Sequence, residues 1–159
     1  MRIFVVSDTH GDLKNAMKLY ERACSGGPVD FIIHCGDYYS DGIRLGKLLD
    51  QTVYVVHGNC DGGWGEEFET AGTPAGNILV IHGHNEDVGF SLENAYHLAR
   101  REGCSMVCFG HTHRARLEES DGILFLNPGS ARRPRDGSSG SAAVVTADEK
   151  GFSAGILYL

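Results

Sequence analysis

Short runs of apolar, mostly β-branched residues recur along the chain at Ile3–Val6, Phe31–Ile33, Val53–Val56, Ile78–Ile81, Met106–Phe109, Ile123–Leu126, Ala142–Val145 and Ile156–Leu159. Each is bounded by Gly, Asp, Asn or Pro, and runs of this length between turn formers predict eight buried strands. Between the early runs the apolar spacing becomes helical. Leu13–Cys24 carries Ala16, Met17, Leu19, Tyr20 and Ala23; Gly42–Leu49 predicts a second helix, and Leu92–Glu102 a third with Ser91 as its N-cap. The first half therefore alternates strand and helix, whereas the last three strands follow one another through turns and predict a β-meander. The expected fold class is α/β (α+β), a two-sheet β-sandwich flanked by helices. Only Ala131–Ser141 has neither pattern, and no repeat or low-complexity tract marks a linker, so one domain is expected over residues 1–159.

Metal-competent side chains fall at the ends of these runs. Asp8 and His10 follow the first, Gly36-Asp37 the second, Gly58-Asn59 the third, His82 the fourth and Gly110-His111-Thr112-His113 the fifth. In sheets of this kind ligands bind in the crevice beyond the carboxyl ends of the strands, so residues more than one hundred positions apart can converge there. Taken singly, each has a plainer reading. Asp8-Thr9-His10 fits a turn or helix cap, Gly36-Asp37 and Gly58-Asn59 fit turns, and His82 and His84 fit core or surface histidines. His111-Thr112-His113 carries more, because alternate residues of an extended segment point the same way. Recurrence at five successive strand ends makes a set of two Asp, one Asn and four His. Imidazole and carboxylate in that ratio suit Mn, Fe, Zn, Ni or Co better than Mg or Ca, and seven donors exceed one four-coordinate ion, so two metals are expected.

Composition narrows the class of partner. The 159 residues are 42% hydrophobic and 22% charged with 22 Gly and 4 Pro, which excludes disordered, collagen-like and membrane compositions. Lys and Arg number 14 against 21 Asp and Glu, and the net charge of -7 argues against nucleic acid or a membrane surface as partner. Five cysteines, an odd number with no CxxC pair, argue for a reducing compartment. Arg2 is followed by only four apolar residues, too few for a signal-peptide core or a membrane span, so a cytoplasmic location is expected.

Asp8-Thr9-His10, Gly36-Asp37, Gly58-Asn59-Cys60-Asp61, His82-Gly83-His84 and Gly110-His111-Thr112-His113, in this order, resemble the calcineurin-like metallophosphoesterase superfamily. The chain is most similar to its small single-domain phosphodiesterase branch, which also resembles the vacuolar sorting subunit of the retromer coat. Asn127-Pro128-Gly129-Ser130 followed by arginine extends the match over nearly the whole chain. The resemblance implies a four-layer αββα fold and two divalent transition-metal ions, manganese first, with Ni, Zn, Fe and Co as alternatives. It implies that Asp8, His10 and His113 hold one ion, that Asn59, His82 and His111 hold the other, and that Asp37 bridges them. A bridging hydroxide would attack phosphorus in line, with Asn59, Asp37 and His82 as catalytic residues.

One departure is plain: many members of the wider superfamily carry a His after Gly-Asn, thought to protonate the leaving group, where this chain has Cys60. A thiol is a poorer proton donor than imidazolium, and Cys60 also fits the role of a small packing residue. Cys60, His84 and Arg132 are expected on the substrate side, Arg132 because guanidinium suits phosphate. Trp64 and Phe68 fit either a pocket for a base or aryl group, or packing and subunit contact. The expected function is metal-dependent hydrolysis of a small phosphate ester, most simply a phosphodiester, by a chain that could form a homo-oligomer. The alternative is a non-catalytic protein-interaction scaffold like the retromer subunit.

Overall fold

Strand β1 (Arg2–Val6) sends Ile3 and Val5 to one face and Phe4 and Val6 to the other, and all four side chains are fully buried. A strand that is apolar on both faces needs a covering layer on each. In the computed structural model, which describes residues 1–159, those layers are a second sheet on one side and helices on the other. The first sheet has the order β10-β9-β1-β2-β3, built from β2 (Phe31–His34), β3 (Val53–Val55), β9 (Ser141–Asp148) and β10 (Gly151–Tyr158) around β1. The second has the order β4-β5-β6-β8-β7, with β4 (Phe68–Thr73), β5 (Gly76–Ile81), β6 (Cys104–Cys108), β7 (Ala115–Ser120) and β8 (Ile123–Pro128).

Period-two alternation assigns each core its residues. Ile3, Val5 and Ile33 of the first sheet meet Ile78, Val80 and Met106 of the second. Helix α1 (Lys14–Cys24) buries Ala16, Leu19 and Ala23, and α2 (Tyr39–Leu49) buries Leu45, against Phe4, Val6 and Ile32. Helix α3 (Glu93–Arg101) lays Ala95 and Ala99 on Leu79, Ile81 and Val107 of the second sheet. The result is the α/β arrangement expected, two mixed sheets face to face with helices outside. β1 to β3 are mutually parallel, as are β5, β6 and β8, so their carboxyl ends share one rim.

Several expectations need correction. There are ten strands rather than eight. β4 and β7 lie at the edges of the second sheet and bury almost nothing, so they leave no apolar run; backbone pairing to β5 and β8 defines them instead. β10 begins at Gly151, five residues before the apolar run at Ile156. The meander is also broken, because β8 pairs with β6 and β7 in the second sheet whereas β9 pairs with β1 and β10 in the first. α2 starts at Tyr39, launched by Tyr38 in the left-handed region (φ 72°). α3 starts one residue later than expected, although Ser91 still accepts a hydrogen bond from the Glu93 N–H (3.1 Å). No helix is long and apolar enough to cross a membrane.

Ile33 sits fully buried between the sheets. Ile33→Ala should lower unfolding stability by about 2–5 kcal/mol through lost burial and an unfilled cavity. A urea titration should show the midpoint falling with the slope unchanged.

Candidate metal centre

The loops beyond the shared rim are unusually bent. Asp8, His10, Asp37, His111 and His113 all have positive φ, between 46° and 68°. Left-handed backbone costs roughly 1–2 kcal/mol per L-residue and persists only where the surroundings enforce it. Here they do: Asp8 N–H donates to Gly36 C=O (3.1 Å), Gly110 N–H to His82 C=O (3.0 Å), and the Ser130 hydroxyl to Asp8 C=O (2.8 Å). Glycine is needed where these loops touch. A Cβ on Gly58 would overlap Asp37 Oδ1 and lie 2.9 Å from His82 Cδ2; one on Gly110 would overlap Ser7 Oγ and lie 2.9 Å from Asp8 Oδ2.

Bent in this way, the loops bring the seven expected donors into two overlapping groups. In the first, Asp8, His10, Asp37 and His113 place one donor atom each within 4.8 Å of all the others. His113 Nε2 is 3.0 Å from Asp8 Oδ1 and 3.3 Å from His10 Nε2, which is 3.8 Å from Asp37 Oδ2. In the second, His82 Nε2 is 3.2 Å from Asn59 Oδ1 and 3.3 Å from Asp37 Oδ1, while Asn59 Oδ1 is 3.0 Å from His111 Nδ1. Asp37 faces both groups, one oxygen to each.

Ring tautomers decide what these short distances mean. His82 Nδ1 lies 2.7 Å from the Cys35 carbonyl and His113 Nδ1 lies 2.7 Å from the Arg133 carbonyl. A carbonyl only accepts, so each Nδ1 carries the proton and, in the neutral ring, each Nε2 presents a lone pair. Those lone pairs aim at carboxylate and amide oxygens, which also only accept. Asp8 Oδ1 is fully buried and has no hydrogen-bond donor of its own despite the 3.0 Å approach of His113, whereas Oδ2 takes the Ser7 hydroxyl (2.6 Å) and the His111 N–H (3.3 Å). Acceptors this close need a cation between them. The donor set fits one.

Without an ion, a proton is the only substitute. Burial pushes His113 down, but its contact with Asp8 and the charge of Asp8 outweigh this and leave its pKa raised. Burial alone would raise Asp8; His113, the charge of His82 and the Ser7 hydroxyl reverse the sign and leave it lowered. Burial lowers His10, only partly offset by Asp37 and Asp8, and lowers His111 with help from His82.

The substrate-side candidates are placed differently from one another. Cys60 is exposed at the rim; its backbone N–H donates to Asp37 Oδ1 (3.0 Å), and desolvation with the Asp37 carboxylate beside it pushes its thiol up to about 11. His84 stacks obliquely 5.3 Å from His82 and 6.2 Å from His111, with a buried Nδ1 that has no partner. Arg132, expected on the substrate side, is half-exposed, with its Nε 3.5 Å from Asp12 Oδ2. Trp64 is 81% exposed, and Phe68 packs half-buried at the α3-side core. Asp61 is structural, accepting from Tyr39 N–H (2.8 Å) and Gly58 N–H (2.7 Å).

A buried network behind the centre went unread in the sequence. Gly36 N–H donates to His34 Nδ1 (3.3 Å), so His34 Nε2 carries the proton and donates to Thr9 Oγ1 (3.1 Å). The Thr9 hydroxyl in turn donates to Asp41 Oδ2 (2.8 Å), which also accepts from Gly11 N–H (2.8 Å). This chain clamps both sides of His10. Its only sequence signal is a histidine at the end of an otherwise apolar strand.

Comparison with known proteins agrees with this geometry. The model of the calcineurin-like phosphoesterase superfamily domain matches residues 1–150. The chain is 37% identical over 152 residues to the probable metallophosphoesterase YsnB of Bacillus subtilis, covering 92% of this chain and 84% of that one. It is 31% identical over 146 residues to the phosphodiesterase MJ0936 of Methanocaldococcus jannaschii, covering 81% and 83%. A crystal structure of a Vps29 variant from Entamoeba histolytica superposes with a TM-score of 0.77 over 100% of this chain and 99% of that one; at 20% identity it shows a shared fold.

Fully buried His34 has a pKa of about 4, lowered by desolvation. Between that value and the ordinary value of about 6.5 the unfolded chain binds the extra proton, so stability is lost as pH falls through this window. In chelator-treated protein the contribution is of order 3 kcal/mol. His34→Gln should flatten the dependence of the melting temperature on pH between about 6.5 and 4.

Proposed function

Because the chain belongs to the calcineurin-like phosphoesterase superfamily, we propose that it is a metal-dependent phosphodiesterase that works through two ions. The observation that carries this reading is the pair of acceptor-only donor groups joined by Asp37. Asp8, His10 and His113 would hold one ion, Asn59, His82 and His111 the other, and Asp37 both. Divalent ions so held would make water nucleophilic near neutral pH and offset charge on the phosphoryl oxygens; manganese suits the mixed carboxylate and imidazole set.

The chain's own groups do the rest. The Cys35 and Arg133 carbonyls keep His82 and His113 in the tautomer whose Nε2 can donate to a metal. The Cys60 N–H fixes the Asp37 carboxylate. Asn59 Nδ2 lies at the rim 3.7 Å from Cys60 Sγ, and its second amide hydrogen would orient a phosphoryl oxygen. A thiol at position 60 is a poorer proton donor than imidazolium, which favours direct displacement by water and good leaving groups. A diester is supported by the likeness to the archaeal phosphodiesterase. The complete donor set weighs against a scaffold with an impaired metal site, and the five unpaired cysteines support a reducing cytoplasm.

Asp37→Asn should reduce turnover of bis(p-nitrophenyl) phosphate by at least about 10²-fold in manganese-loaded protein, and chelation should do the same to the parent. Equal rates for variant and parent would favour the scaffold. Cys60→Ala should cost under 10-fold on the same ester, against roughly 10²- to 10⁴-fold for loss of a general acid.

A further inference from the structure

On the His111 side of the centre lies an open cleft of about 530 Å³. His111 and Thr112 form part of its wall, and Arg114, Arg116 and Arg135 line it together with Val88. Three arginines in one cleft stand out in a chain whose net charge is -7. Arg116 is already committed: its Nε and NH2 hold the two oxygens of Glu118, each at 3.0 Å. Arg114 and Arg135 pair with no carboxylate.

Their freedom is built in by the backbone. Asp136, the acid next to Arg135, is taken up by main-chain groups, accepting from Ala115 N–H (3.1 Å) and Ser138 N–H (3.0 Å). Arg135 N–H donates to His113 C=O (2.9 Å), and His113 Nδ1 donates to Arg133 C=O (2.7 Å). These bonds tie segment 133–136 to segment 113–115, so the loop carrying Arg135 is fastened to the loop carrying the metal-competent histidines. Arg114 immediately precedes β7 and Arg116 is its second residue, and both line the cleft. The backbone that carries two unpaired guanidiniums is thus fixed beside His111, both side chains line the cleft, and guanidinium forks match the oxygens of phosphate better than those of any neutral group.

We propose that this cleft is a subsite for a second phosphate of the substrate, carried on the part of the molecule that is not attacked. The substrate class is then a phosphodiester bearing an additional phosphomonoester, of nucleotide size, for which a cleft in the range of about 300–1,000 Å³ is adequate. The proposal rests on the phosphodiesterase reading and narrows it.

Two esters that differ by one phosphate test it: thymidine 5′-(p-nitrophenyl phosphate) and its 3′-phosphorylated form. With manganese-loaded parent protein the phosphorylated ester should have the higher kcat/KM, through a lower KM. In the double variant Arg114→Gln, Arg135→Gln the ratio of the two kcat/KM values should fall at least 10-fold, and Arg→Lys at both positions should restore part of it. An unchanged ratio overturns the subsite. If the parent hydrolyses neither ester, the phosphodiesterase reading falls separately, and calorimetry with thymidine 3′,5′-bisphosphate on chelator-treated protein decides the subsite. Binding at least 10-fold weaker in the double variant supports it; equal binding overturns it.

Discussion

The arrangement depends on one electrostatic constraint: atoms that can only accept are held within hydrogen-bond distance of one another in a buried crevice. Asp8 Oδ1, His113 Nε2, His82 Nε2, Asn59 Oδ1 and both oxygens of Asp37 converge with no proton assigned between them. In a low-dielectric crevice such a grouping is unfavourable unless positive charge enters it. Much of the surrounding structure can be understood as what keeps these atoms from turning away.

That restraint works at three distances. Nearest, backbone carbonyls of Cys35 and Arg133 take the ring protons of His82 and His113, and the Cys60 N–H takes Asp37. Further out, the Ser130 hydroxyl holds Asp8 C=O while the His34–Thr9–Asp41 chain holds Gly11, which together enforce the left-handed turns at Asp8 and His10. Furthest, the sandwich core brings the carboxyl ends of β1 to β3 and of β5 and β6 to one rim. Rigid support at each level is what a metal-competent or catalytic constellation requires.

What could be read in the sequence, and what could not, follows the same division. Central strands such as Ile3–Val6 and Ile78–Ile81 are buried on both faces and leave an apolar signature, as do helices with one buried stripe. Edge strands β4 and β7 owe their existence to ladder hydrogen bonds with a neighbour, which no local pattern records. The same contrast holds at the centre. Asp8, His10, Asp37, Asn59, His82, His111 and His113 were legible because strand ends carry them in order, whereas Thr9, His34 and Asp41 matter through contacts spanning up to 32 positions. Arg132 was singled out by residue type and lies beside Asp12, while Arg114 and Arg135 gain significance only from the cleft they share.

Each of the two donor groups draws on both sheets. Asp8, His10, Asp37 and Asn59 come from loops of the first sheet, His82, His111 and His113 from loops of the second. An ion held there acts as a clasp across the open mouth of the sandwich, where the apolar core between the sheets gives way to polar loops. Separating the sheets would then require letting go of the metal, so resistance to unfolding grows with the logarithm of free ion concentration. Such a protein carries a record of its own metal supply in its heat tolerance, whatever ester it is given to cleave.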